Sequence, residues 1–151
     1  MNIDCLGVMT GTSCDGVDLA VLKIQHTSKG WQETLVHTCH FDFPKPLQKR
    51  LLGAQEGMLS VRHAAYLTRD YSIFIGKLCK QQLKKWGIVN VLIGVHGQTI
   101  WHEPPSKKQI GVSIQLVDGA IISAITDSTI ATLFRQPDLA RGGQGAPLVP
   151  Y

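Results

Sequence analysis

Eight consecutive residues, Gly11-Thr12-Ser13-Cys14-Asp15-Gly16-Val17-Asp18, bring together two glycines, two hydroxyls and two carboxylates between two apolar stretches. Glycine tolerates positive φ and close approach, so such a run can converge backbone N–H groups on a phosphate. Thr12 and Ser13 add hydroxyl donors. Asp15 and Asp18 repel a bare phosphate but suit Mg²⁺, held directly or through water. A hairpin turn rich in turn formers has the same composition, although it needs fewer such residues. On residue chemistry alone both readings stand.

Two further groups carry chemistry. His96-Gly97-Gln98-Thr99 follows the apolar run Val89-Asn90-Val91-Leu92-Ile93-Gly94-Val95, placing it at a strand end, where ligand groups gather. Gln98 and Thr99 suit the hydroxyls or amide of a sugar-like ligand. His96 reads as a hydrogen-bonded histidine rather than a general base. Arg135 and Asp138 flank Pro137, ahead of Arg141 and Gly142-Gly143-Gln144-Gly145. Either arginine can grip a carboxylate or phosphate bidentately, or close a structural salt bridge. His26, His37, His40, His63 and His102 lack metal-ligand spacing and read as structural.

These groups need a scaffold. Residues 2–9, 17–25 and 31–43 have strand-like patterning with turn-length links, which predicts an antiparallel meander. Pro44 and Pro46 stop the third strand and admit a helix over 46–55. Ala64, Leu67, Tyr71, Phe74 and Leu78 step by three or four, predicting a helix over 60–86 that lysines and Gly87 terminate. A strand buried on both faces follows at 89–95, then strands at 110–117 and 128–134 around a helix near 118–126. The order implies an α/β fold, a mixed sheet with flanking helices, in one domain.

Composition narrows the class. The 151 residues are 44% hydrophobic and 17% charged, with a net charge of +4, as expected of a globular domain. The basic residues are scattered, the densest at Lys77–Lys85 and Lys107-Lys108, so no nucleic-acid footprint is expected. No run approaches the ~20 apolar residues of a membrane span. Met1-Asn2-Ile3-Asp4 lacks the basic start of a secretory signal. The four cysteines (5, 14, 39, 79) show no metal or disulfide spacing, and most read as small buried residues of a reducing compartment. A cytoplasmic location is expected.

Together, Gly7-Val8-Met9-Thr10 through Asp18, His96 to Thr99, Ile114-Gln115-Leu116 with Asp118-Gly119, and Phe134-Arg135 through Asp138 to Pro150 resemble the anhydro-N-acetylmuramic acid kinase family, in its order and near its spacing. The resemblance implies the N-terminal, ribonuclease-H-like domain of an actin-like ATPase fold, with a second domain not contained in residues 1–151. It implies ATP and Mg²⁺ as cofactors and 1,6-anhydro-N-acetylmuramic acid as substrate, phosphorylated and ring-opened to N-acetylmuramic acid 6-phosphate in peptidoglycan recycling. Residues 11–18 would hold the ATP phosphates, with Asp15 and Asp18 toward Mg²⁺. His96, Gly97, Gln98, Thr99 and Arg135 would line the sugar pocket.

The chain departs from the family's pattern at Leu133, where an aspartate is usual, and at Val95, where Ser or Cys is common. The catalytic base of similar enzymes lies in a segment that would follow Tyr151. Little kinase activity is therefore expected of this chain alone. The alternative is a non-catalytic sugar- and phosphate-binding or assembly module, working with a separate C-terminal chain or as a homodimer.

Overall fold

The computed structural model describes residues 2–107 and 109–148. Lys108 and the Val149-Pro150 end of the last resembling segment lie outside them. The meander forms as expected. Strand β1 (Asn2–Met9) pairs antiparallel with β2 (Gly16–Thr27), and β2 with β3 (Gly30–Asp42). Alternation decides which way each strand faces. Leu6 and Val8 of β1 and Val17, Leu19 and Val21 of β2 are buried, whereas Gly7, Asp18 and Ala20 between them face the other side.

Helix α1 (Lys45–Ala54) carries Pro46 in its first turn and buries Leu47, Leu51 and Ala54. Helix α2 (Val61–Trp86) begins where the Ser60 hydroxyl accepts from the His63 N–H, and it ends at Gly87 in the left-handed region. Leu67, Tyr71, Ile75, Leu78 and Cys79 form its buried stripe, in one core with Leu6, Val8, Leu19, Ile93 and Val95. No helix among the described residues is long and apolar enough to cross a membrane.

Strand β4 (Leu92–Val95) runs parallel to β1, and β7 (Thr129–Ala131) parallel to β4, giving a mixed five-stranded sheet in the order β3-β2-β1-β4-β7. Ile93 and Val95 are fully buried, whereas Leu92 and Gly94 are only half-covered on the opposite face. The expectation of burial on both faces therefore holds for one face.

Three other expectations are corrected. Residues 98–103 form a strand, β5 (Gln98–Glu103), pairing with β6 (Val112–Leu116) in a separate two-stranded ribbon. Gln98 and Thr99 are thus strand residues, not loop. The strand expected over 128–134 keeps three residues, because Leu133 takes a left-handed φ of 64° that breaks the ladder. Of the four cysteines, all free, only Cys14 and Cys79 are buried. Helix α3 (Gly119–Thr126) is capped by Asp118, and a short helix, α4 (Gln136–Leu139), follows the Leu133 turn.

Candidate active site: a phosphate loop beside a histidine–arginine pair

The chain between β1 and β2 turns sharply. Thr10 is buried at its start, and its hydroxyl donates to the Gly97 carbonyl at 3.0 Å. That donation uses its only proton, so the buried Tyr71 hydroxyl, 3.3 Å away, donates to Thr10. Helix α2, strand β1 and the 96–97 link are thereby pinned together. Cys14 is fully buried at φ 51°, and burial raises its thiol pKa, so it packs as a small apolar group.

The loop carbonyls are tied back to the protein body. Gly11 accepts from the Gln98 side-chain amide at 2.9 Å and from the Cys14 N–H at 3.2 Å. Thr12 accepts from the Gln55 amide, and Cys14 from the Gln48 amide, both at 2.9 Å. Asp15 accepts from the Phe43 N–H at 3.1 Å. By contrast, the N–H groups of Thr12 and Ser13 find no acceptor among the described residues, and the Asp15 N–H turns to its own carboxylate. A loop with bound carbonyls and free N–H groups has the polarity that an anion requires.

The two aspartates play different parts. One oxygen of Asp15 accepts from the Ser13 hydroxyl at 2.8 Å and from the Gly16 N–H at 2.9 Å. The Ser13 bond, aided by backbone donors, holds its carboxyl below the usual carboxylate range. Asp18 faces its cross-strand neighbour His40, whose Nδ1 lies 2.8 Å from one carboxylate oxygen. His40 Nε2 approaches Asp42 at 3.5 Å. The hydrogen bond to Asp18 is the main reason the His40 pKa is raised.

Each aspartate keeps a second oxygen without a protein partner among the described residues. No three His, Cys, Asp or Glu side chains there cluster tightly enough to hold a metal alone. Mg²⁺ suits such a site, since it commonly takes one or two carboxylates and fills its shell with phosphate and water. The end of the run is not loop: Gly16, Val17 and Asp18 already belong to β2, and the Val17 side chain is fully buried in the core.

Across the sheet, Arg135 Nε donates to His96 Nε2 at 3.0 Å, and Arg135 Nη1 to the Gly145 carbonyl at 2.6 Å. A guanidinium only donates, so Nε2 is the acceptor and the neutral imidazole keeps its proton on Nδ1, which is buried and unpartnered. Asp138 accepts from the Gly145 N–H at 2.7 Å, and a side chain at Gly143 would strike the Asp138 carboxylate. The glycine run is therefore dense because it wraps closely around Asp138. Among the described residues, the Arg141 side chain binds the Pro137 carbonyl, on the surface.

Asp18 and His96 border one cleft of about 510 Å³, with Gly7, Ala20 and Gly94 as its floor and Phe134 and Leu148 at its rim. Gln98 is fully buried, and one side-chain oxygen lacks a partner. Thr99 is buried beside the Gln115 amide, 3.3 Å away. Gly97, at φ 80°, is pressed against Leu116 and Val117. The sequence reading missed Gln48, Gln55 and His40, since lone amides and a lone histidine carry no motif.

Burial, and then the Arg135 charge, push the His96 pKa below its ordinary 6.5. On unfolding, His96 takes up a proton that the folded state refuses. Its contribution to stability is therefore complete above pH 6.5 and falls as the solution is acidified below it. His40 works in the opposite direction, losing its contribution as pH rises, but that pair is exposed and screened. The urea midpoint should fall more steeply from pH 7 to 5 for the native chain than for His96→Gln, which keeps an acceptor for Arg135. Parallel profiles would contradict this assignment.

The family model described as anhydro-N-acetylmuramic acid kinase matches residues 4–151. An anhydro-N-acetylmuramic acid kinase of Nitrosomonas europaea is 40% identical over 149 residues, covering 96% of this chain and 39% of that protein. One from a Synechococcus species is 37% identical over 146 residues, covering 97% and 38%. One from Pseudomonas syringae pv. tomato is 37% identical over 155 residues, covering 99% and 40%. The chain thus spans roughly two-fifths of the length of these curated relatives. With the match running from Asp4 to Tyr151 and taking in residues 11–18, the 96–99 segment and Arg135, the chain belongs to the anhydro-N-acetylmuramic acid kinase family.

Proposed function

We propose that residues 11–18 hold the phosphates of ATP and that His96, Gly97, Gln98, Thr99 and Arg135 shape the pocket for 1,6-anhydro-N-acetylmuramic acid. The observation that carries this reading is the polarity of the loop: the carbonyls of Gly11, Thr12, Cys14 and Asp15 are occupied, while the Thr12 and Ser13 N–H groups have no partner among the described residues. The Thr12 hydroxyl would add a contact to the phosphates, and the Ser13 hydroxyl would do so on turning from Asp15. Asp15 and Asp18 would hold Mg²⁺, which neutralises phosphate charge when bound. Arg135 keeps His96 neutral and fixed in orientation, which suits a hydrogen-bonding wall better than a base.

The reaction is phosphoryl transfer from ATP to the sugar 6-oxygen, while water adds at the anomeric carbon and opens the anhydro bridge. The products are ADP and N-acetylmuramic acid 6-phosphate, in peptidoglycan recycling. No group of residues 1–151 is assigned as the base that takes the water's proton. The fold proposed is the ribonuclease-H-like N-terminal domain of an actin-like ATPase, a cytoplasmic protein. A separate C-terminal chain or a second copy would complete the cleft, since phosphoryl transfer needs charge and positioning from both sides.

A chimaera tests this reading. Residues 1–151 joined to the remaining segment of the Nitrosomonas europaea relative should form the 6-phosphate from MgATP and the anhydro sugar, and residues 1–151 alone should not. A folded but inert chimaera would contradict the assignment.

A further inference from the structure

Gln55 occupies the C-terminal cap of α1, a helix end anchored by buried Leu51 and Ala54. Its side-chain nitrogen lies 2.9 Å from the Thr12 carbonyl, 3.3 Å from the Thr99 carbonyl and 3.4 Å from Cys14 Sγ. All three neighbours are acceptors, so the amide must present N–H here; turned over, its oxygen would face two carbonyls. One side chain therefore joins the loop between β1 and β2, 43 positions before it, to the first residues of β5, 44 positions after it. Gln98, next to Thr99, makes a second tie from the same strand, to the Gly11 carbonyl.

We propose that Gln55 is a positioning residue that fixes the loop carbonyls inward and couples the phosphate site to the sugar site. This inference rests on the assignment of those two sites made above. When Thr12 C=O is held, the peptide plane that follows it is held too, and that plane carries the free Ser13 N–H. A ligand that settles against residues 96–99 moves or stiffens Thr99, and the Gln55 amide passes that change to the loop. Affinities at two sites joined in this way must respond to one another reciprocally.

The test is a calorimetric cycle on the 151-residue chain, titrating MgATP with and without saturating 1,6-anhydro-N-acetylmuramic acid. Gln55→Met keeps the length and removes both donors, whereas Gln55→Lys keeps donors within reach of both carbonyls. In the native chain the sugar should tighten MgATP binding at least about threefold. Gln55→Met should bind MgATP about tenfold more weakly and lose the response to sugar, while melting within about 4 °C of the native chain. Gln55→Lys should keep most of both properties.

Equal MgATP affinity and equal coupling in Gln55→Met would overturn the inference and leave the phosphate-loop assignment standing. So would a native chain that binds MgATP without responding to the sugar, or a Gln55→Lys variant as impaired as Gln55→Met. A native chain that does not bind MgATP would overturn both the inference and the assignment beneath it. Should Gln55→Met not fold, Gln55→Ser, which withdraws the donors without adding apolar surface, is read by the same criteria.

Discussion

Gly16→Ala is expected to destabilise the chain by about 3 kcal/mol and to abolish phosphate binding at the loop. A methyl group at position 16 would land on the Phe41 carbonyl oxygen and within 2.6 Å of the His40 ring. The carbonyl belongs to β3 and is fixed by the ladder that pairs Gly16 with Asp42, so it cannot yield locally. The His40 ring could swing aside, but only by leaving Asp18. Relief must then come from separating the start of β2 from β3, which also moves Asp15 and its tie to Phe43. Against a typical total stability of about 5–15 kcal/mol, that loss is large. Urea unfolding measures it directly, and a variant with native midpoint and native MgATP affinity would refute the packing argument.

Arg135→Ala should have the second large effect, mainly on the sugar side. The guanidinium is the donor that satisfies His96 Nε2 and also holds the Gly145 carbonyl. Removing it leaves a buried ring nitrogen without a partner, at a cost of about 1–3 kcal/mol. It also frees the Gly145 carbonyl, leaving the 142–145 segment held by Asp138 and the Leu139 carbonyl. His96 would regain part of its proton affinity, because one of the two causes of its depression is gone. Affinity for the anhydro sugar should fall by at least about tenfold, as for other losses of a buried charge-assisted bond. Arg135→Lys should not restore it, since a point charge cannot serve both acceptors with a planar fork. Unchanged sugar affinity in Arg135→Ala would remove Arg135 from the pocket.

Much of this arrangement is legible in the sequence, for identifiable reasons. Strands β1 and β2 and helices α1 and α2 announce themselves because each buries one face, so alternation or a three-four stripe appears in the residues. The same signal fails for β5. That strand sits in a two-stranded ribbon where Trp101 and Glu103 are exposed, and its first residues are polar groups turned inward. For that reason nothing in residues 98–103 marks a second strand after the one that ends at Val95. Leu133 hides its left-handed turn because nothing about leucine signals positive φ. The phosphate loop itself is visible as a composition, but what orients it is not. Gln48 and Gln55 reach it from helix α1 and Gln98 from strand β5, and only folding brings them together. His40 likewise becomes part of the site through cross-strand register with Asp18, which no spacing along the chain encodes.

Residue-resolved NMR of the 151-residue chain tests the central claim most directly. Titration with MgATP should shift the amides of Thr12 and Ser13, whose N–H groups find no acceptor among the described residues. Titration with 1,6-anhydro-N-acetylmuramic acid should instead shift residues 96–99 and the Arg135 side chain. Responses confined to the apolar cleft that Ala54, Trp101 and Ile114 line on the ribbon side, or no response at the loop, would contradict the account.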